Sequence, residues 1–289
     1  MSKSPWETLV ERQLGYAGFT PELHAAIGRT KIAVIGAGGN GAALDLLVRS
    51  GFSRFVIIDP GLVNDTSLNR LPFNRDAIGL PKVEAWRKHL RDVNPDCEIR
   101  ALHTGITRTD AAFLEKHLKG VSLILLGTTD VEANIVVSRI ASRLGIRTII
   151  GPVSYGFLVT TTFIHDNGYS YEKLAGFETQ DTPLEKIDYA ALRGRFLEAT
   201  SVPGFKDKLA PGIWEAVLKG KLPTRSCSFL VCLGNAAAAF EAVKNVAAMH
   251  ALPMPGARLV TIPDVLIYDP WIGKSYIFNA ASGVMKEHG

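Results

Sequence analysis

The chain has 289 residues, 47% of them apolar and 21% charged, with a formal net charge of +4. That is the balance of a folded globular chain of one large or two small domains, and the scattered Lys and Arg leave no basic arm for nucleic acid. No apolar run approaches bilayer length, no apolar core marks the N-terminus as a leader, and three cysteines suit neither a disulfide framework nor a tetrathiolate zinc site. A cytoplasmic chain without membrane or nucleic-acid partners is expected.

Thr20-Pro21 opens a short helix, with Thr20 as N-cap and Pro21 at its first position, and Gly28 ends it. Next comes the most informative stretch, Lys31 to Val48. An Ile- and Val-rich run breaks at Gly36, Gly38, Gly39 and Gly41, with Asn40 among them, then resumes at helical spacing. This predicts a buried parallel strand, a tight turn and a helix whose free N–H groups favour an anion, usually phosphate. Glycine there keeps side chains out of both the turn and the ligand's path. A second apolar strand, Arg54 to Ile58, ends in Asp59, placed to accept hydrogen bonds from a ribose diol.

A polar connection, Pro60 to Leu80, holds Asn69 and Arg70. Pro81 starts a helix to about Val93, stopped by Asn94-Pro95. Cys97 to His103 reads as a strand, Asp110 to Leu118 as a helix, and Val121 to Leu126 as a strand buried on both faces. Asp130 follows, then a helix to Arg143 and a strand at Ile146 to Ile150. Strands alternating with helices predict βαβ units, an α/β Rossmann-like doubly wound, mainly parallel sheet over residues 1–165. From Phe157 to Ile164 the chain is β-rich and the sheet is expected to turn antiparallel. Residues 166–289 are read as a polar insertion, a long apolar helix at Ser226 to Met249 and closing strands at Leu259–Ile262, Val265–Tyr268 and Ser275–Phe278. They complete the same globular unit on its substrate side.

Arg70, Lys82 and Asp130 all fall on the side of the sheet where open α/β folds bind ligands. Two cations and a further carboxylate suit a triphosphate with magnesium better than a nicotinamide dinucleotide, since a polyphosphate needs neutralising and a hydride acceptor does not. From the glycine turn alone, a nicotinamide-dependent oxidoreductase is the alternative.

Arg12-Gln13, the Gly-Ala-Gly-Gly-Asn-Gly turn, Ile58-Asp59, Leu68-Asn-Arg70, Gly79-Leu-Pro-Lys82, Asn94-Pro95, Thr128-Thr-Asp130 and Glu241-Ala-Val-Lys244 stand in this order. The set resembles the ThiF/MoeB-type adenylating enzymes, whose eukaryotic members activate ubiquitin and its relatives. The resemblance implies that Gly36, Gly38, Gly39 and Gly41 shape an ATP loop, with Asn40 and Asn69 beside the nucleotide. Asp59 would hold the ribose, Arg70 and Lys82 the phosphates, and Asp130 a bridging Mg2+. Arg12 would reach the site of a neighbouring subunit in a homodimer. The implied reaction is attack of a carboxylate on the α-phosphate of ATP, giving an acyl-adenylate and pyrophosphate. The acid would be the C-terminus of a small carrier protein, a peptide or a small molecule. A catalytically inactive scaffold subunit is the non-enzymatic alternative.

Four positions depart from the family pattern: Gly61 where a second acid is usual, Ser67 for Asn, Leu71 for Gln and Val131 for Asn. They mark a divergent branch, and without paired Cys-x-x-Cys motifs no structural zinc is expected. Cys227 opens the long helix near where some relatives carry a reactive cysteine, though a small core residue is the other reading. Cys232 is read as core.

Overall fold

A computed structural model describes residues 4–151, 153–154, 157–164, 168–199, 208–223 and 225–288. Two helices, α1 (Pro5–Val10) and α2 (Pro21–Arg29), precede the alternation β1 (Lys31–Ile35), α3 (Ala43–Arg49), β2 (Arg54–Ile58), α4 (Lys82–Val93), β3 (Glu98–Leu102), α5 (Ala111–Leu118), β4 (Leu123–Leu126), α6 (Val131–Leu144) and β5 (Arg147–Ile150). Local chemistry explains the boundaries. Thr20 caps α2 by accepting from the Leu23 N–H, and Asp130 caps α6 from the Ala133 N–H. Gly145 stops α6 in the left-handed region at φ 66°.

The C-terminal part follows as β6 (Val153–Ser154), β7 (Phe157–Phe163), α7 (Tyr171–Leu174), α8 (Tyr189–Ala199), α9 (Ile213–Leu218), α10 (Ser228–Met249), β8 (Asp264–Asp269), β9 (Lys274–Asn279) and β10 (Val284–Glu287). Along the sheet the strands run β3-β2-β1-β4-β5-β7-β8-β9-β10, with β6 beside β7. The first five are parallel. From β7 onward every pairing is antiparallel. The mixed α/β sheet expected from the sequence is therefore present.

Strand periodicity sorts the core into layers. Ile32 and Val34 of β1 face α2, α3, α4 and α10, while Ala33 and Ile35 face α5 and α6. A third cluster joins Phe163, Val265 and Ile267 of the antiparallel strands to Tyr171, Phe177 and Trp214 of the insertion and Val131 and Ile135 of α6. Arg139 ties the same units together. It donates to both carboxylate oxygens of buried Glu172 at 2.7 and 3.0 Å and to the carbonyls of Thr179 and Thr182.

Three expectations need correction. Leu259–Ile262 is not a strand: Val260 and Ile262 are buried as loop residues and only Thr261 bridges to Thr162. The α10 segment does reach membrane-spanning length and hydropathy, but 67% of its most apolar window is buried inside the protein, as in a core helix. Cys232 is exposed rather than core, and Cys227 is half-buried.

Candidate nucleotide site

The glycine turn leaves the C-terminal end of β1 and wraps the start of α3. Gly36 sits at φ +88°, and a Cβ there would lie 2.7 Å from the Thr128 N and 2.8 Å from the Gly127 carbonyl carbon. Only glycine allows that backbone angle together with that approach to the β4–α6 connection. One 3-10 turn, Asn40–Ala42, intervenes before α3. Asp59 braces the turn from β2: its Oδ2 accepts from the Ala37 N–H at 2.7 Å and its Oδ1 from the Gly61 N–H at 2.6 Å. Among the described residues, the N–H groups of Gly38, Gly39, Asn40 and Gly41 meet no acceptor. Four successive unpaired donors form a concavity for an anion.

Both predicted cations reach this concavity. Arg70 passes over Gly39, its Cδ 3.2 Å from where a Cβ would stand. Its Nη1 donates to Thr66 O at 2.6 Å and Asn69 Oδ1 at 2.9 Å. Burial pulls the Arg70 guanidinium below its usual pKa, the effect of a charge taken partly out of water. Lys82, the first residue of α4, places Nζ 3.7 Å from Asp59 Oδ1 and 3.9 Å from a Cβ on Gly38. A cation in a helix's first turn opposes the dipole and is favoured once an anion arrives.

Asp130 is exposed at the end of the β4–α6 connection. One oxygen is committed to the α6 cap at 2.9 Å from the Ala133 N, and the backbone N–H donates to Thr128 Oγ1 at 3.0 Å. Among the described residues the second oxygen has no partner. No set of three His, Cys, Asp or Glu among the described residues surrounds it, so Mg2+ held there would take its other ligands from phosphate and water. The residues fit that mode of binding.

Arg12 is not brought to this site. It lies exposed on the turn Glu11–Gln13, where Gln13 Nε2 donates to Arg49 O at the C-terminal end of α3, opposite the loop. Asn69 bridges to the start of α10 through Ser226 O at 3.4 Å, which puts half-buried Cys227 at the margin.

The departures acquire structural reasons. A Cβ at Gly61 would stand 2.7 Å from Lys82 Nζ and 2.9 Å from Asp59 Oδ1, so a side chain there would make the lysine end shift. Ser67 is buried in a capping box with Asn64, while Leu71 and Val131 are core residues. Two contacts escaped the sequence reading. Trp86 Nε1 donates to Ala37 O at 2.9 Å and Asn235 Nδ2 to Gly39 O at 2.8 Å.

The family described as ThiF matches residues 10–265. The chain belongs to the ThiF family. This ThiF-family chain is 32% identical over 124 residues to ubiquitin-like modifier-activating enzyme 5 of Branchiostoma floridae, covering 39% of this chain and 31% of that protein. The corresponding Drosophila ananassae protein is 39% identical over 80 residues, covering 27% of this chain and 20% of the relative. The match thus spans less than a third of either relative. In fold, it superposes on PaaA with a TM-score of 0.67 at 15% identity, covering 99% of this chain and 74% of PaaA. E. coli MccB solved with ATP gives 0.65 at 15% identity, covering 89% and 66%.

Proposed function

We propose that this ThiF-family chain is an ATP-dependent adenylyltransferase that activates a carboxylate. The observation that carries the reading is the convergence of Arg70 and Lys82 on four unpaired loop N–H groups beside Asp59. A fixed set of donors and cations is what a polyphosphate needs and a nicotinamide does not. The carboxylate oxygen attacks the α-phosphorus, the bond to the bridging oxygen breaks, and pyrophosphate leaves with that electron pair. The loop N–H groups and the two cations stabilise charge on the phosphoryl oxygens and the leaving group. Asp59 accepts from the ribose. Mg2+ bound through the open oxygen of Asp130 would supply further neutralisation of the phosphates. The attacking carboxylate is already ionised near neutral pH, so no general base is required.

The acid is the C-terminus of a small carrier protein or of a peptide, or a small-molecule acid. Supporting the first two, the similar curated proteins activate a ubiquitin-like modifier and MccB has been solved with MccA. A homodimer in which Arg12 serves the partner's site fits the exposure of Arg12 far from its own loop. The test is carboxylate-dependent ATP–pyrophosphate exchange across candidate acids. Exchange should appear in the wild type and fall by about 10³-fold or more in Lys82→Ala. ATP binding without exchange for any acid would favour a scaffold subunit, and nicotinamide reduction would overturn the reading.

A further inference from the structure

We infer that Trp86 and Asn235 are positioning residues that aim the phosphate-binding N–H groups of the glycine turn. The inference rests on the nucleotide site proposed above. A trans peptide unit is planar, and its C=O and N–H point in opposite directions. Trp86 on α4 donates from Nε1 to Ala37 O at 2.9 Å, so the N–H of that same unit, on Gly38, points away from α4. Asn235 on α10 donates from Nδ2 to Gly39 O at 2.8 Å, so the N–H of Asn40 points away from α10. Both helices pack on the same face of the sheet. Alternate carbonyls of the turn are therefore drawn into one layer, and the N–H groups paired with them face out of it, where no acceptor among the described residues meets them.

The turn needs such external clamps. Gly36, Gly38, Gly39 and Gly41 give the segment wide backbone freedom, and peptide units flanked by glycine rotate at little steric cost. Ala42 N also reaches Gly39 O, at 3.2 Å, but that local bond alone moves with the turn. The two side chains instead anchor it to the core: Trp86 is fully buried and Asn235 is 1% exposed. Asn235 also bonds back to Val231 O at 2.7 Å, while its Oδ1 is buried without a partner among the described residues. A leucine of similar size would spare the fold that unpaired acceptor. What the amide supplies in exchange is the bond to the loop.

Isothermal titration of the full chain with ATP and with adenosine tests this in wild type, Asn235→Leu and Trp86→Phe. Losing one clamp should weaken ATP about five- to thirty-fold, the effect of one hydrogen bond on a preorganised site. Adenosine, which carries no phosphate, should bind within about twofold of wild type, because a clamp on phosphate donors leaves the nucleoside contacts intact. Equal ATP affinity in wild type and both variants overturns the inference and leaves the nucleotide reading standing. So does a parallel loss of ATP and adenosine binding, which would mean general loosening of the fold. Failure of the wild type to bind ATP removes both. Should Asn235→Leu not fold, Asn235→Ser and Trp86→Phe carry the same test.

Discussion

Asp59→Asn separates the acid's structural work from its proposed ribose contact. Both carboxylate oxygens accept backbone N–H groups, at 2.7 Å from Ala37 and 2.6 Å from Gly61, and the side chain is 9% exposed. Asparagine offers one acceptor and one donor. Whichever way the amide turns, its NH2 faces an N–H across a distance set for a hydrogen bond. Bonds to a charged acceptor contribute roughly 1.5–3 kcal/mol each and neutral ones about 1 kcal/mol. Losing one bond outright and weakening the other therefore costs about 2–4 kcal/mol. For a chain of this length the unfolding entropy is about 0.6 kcal/mol/K, so the melting temperature should drop by about 3–7 °C without any nucleotide present. Thermal and urea unfolding of the free protein measure it. A drop below about 1 °C would mean that Asp59 does not brace the loop.

Further substitutions probe single residues. Asp130→Ser keeps an oxygen for the α6 cap and should fold with near wild-type stability while losing adenylation. Asp130→Ala should lose the same activity and about 1 kcal/mol of stability besides. Normal exchange in a folded Asp130→Ser protein would remove the acid from the mechanism. Burial holds the His24 imidazole below its ordinary 6.5, with neither ring nitrogen partnered among the described residues. Its neutral form is favoured in the fold, so its contribution is full above pH 6.5 and is lost as pH falls through the lowered value. His24→Leu should flatten the fall in melting temperature between about pH 7 and 5, and an unchanged slope would refute that origin. Cys97 is 5% exposed and burial pushes its thiol up to about 11, so a thiol reagent should label Cys232 and Cys227 in the native protein and spare Cys97. Mass spectrometry of the labelled chain reads this directly, and rapid native labelling of Cys97 would contradict it.

What could be read in advance was what neighbouring residues decide. The apolar run at Lys31–Ile35, the glycines after it and Asp59 at the end of the next strand lie close together in sequence, and their spacing carries their geometry. Elements without local pattern were missed. Every residue of β10 is exposed, so no apolar alternation marks it. Leu259–Ile262 alternates well, yet its buried Val260 and Ile262 fill the core from a loop before Pro263, and its pairing with β7 stops at the single bridge from Thr261 to Thr162. In α10 apolar residues occupy nearly every position because most of the helix is covered, which is also why it passes for a membrane span. The roles of Trp86 and Asn235 were illegible for another reason. A tryptophan on a helix reads as core, and an asparagine in an apolar helix has no visible partner when that partner is 196 positions away.

That separation has a consequence for synthesis. The bond between Asn235 and Gly39 joins an early segment to a late helix, so the loop emerges from the ribosome long before its clamp exists. At about 5–20 residues per second, the interval is on the order of 10–40 s. During it the glycine turn has Asp59 and Trp86 to hold it but lacks Asn235, and the nascent chain should bind ATP more weakly than the finished fold. Competence to hold nucleotide thus waits for α10 to be made and to pack.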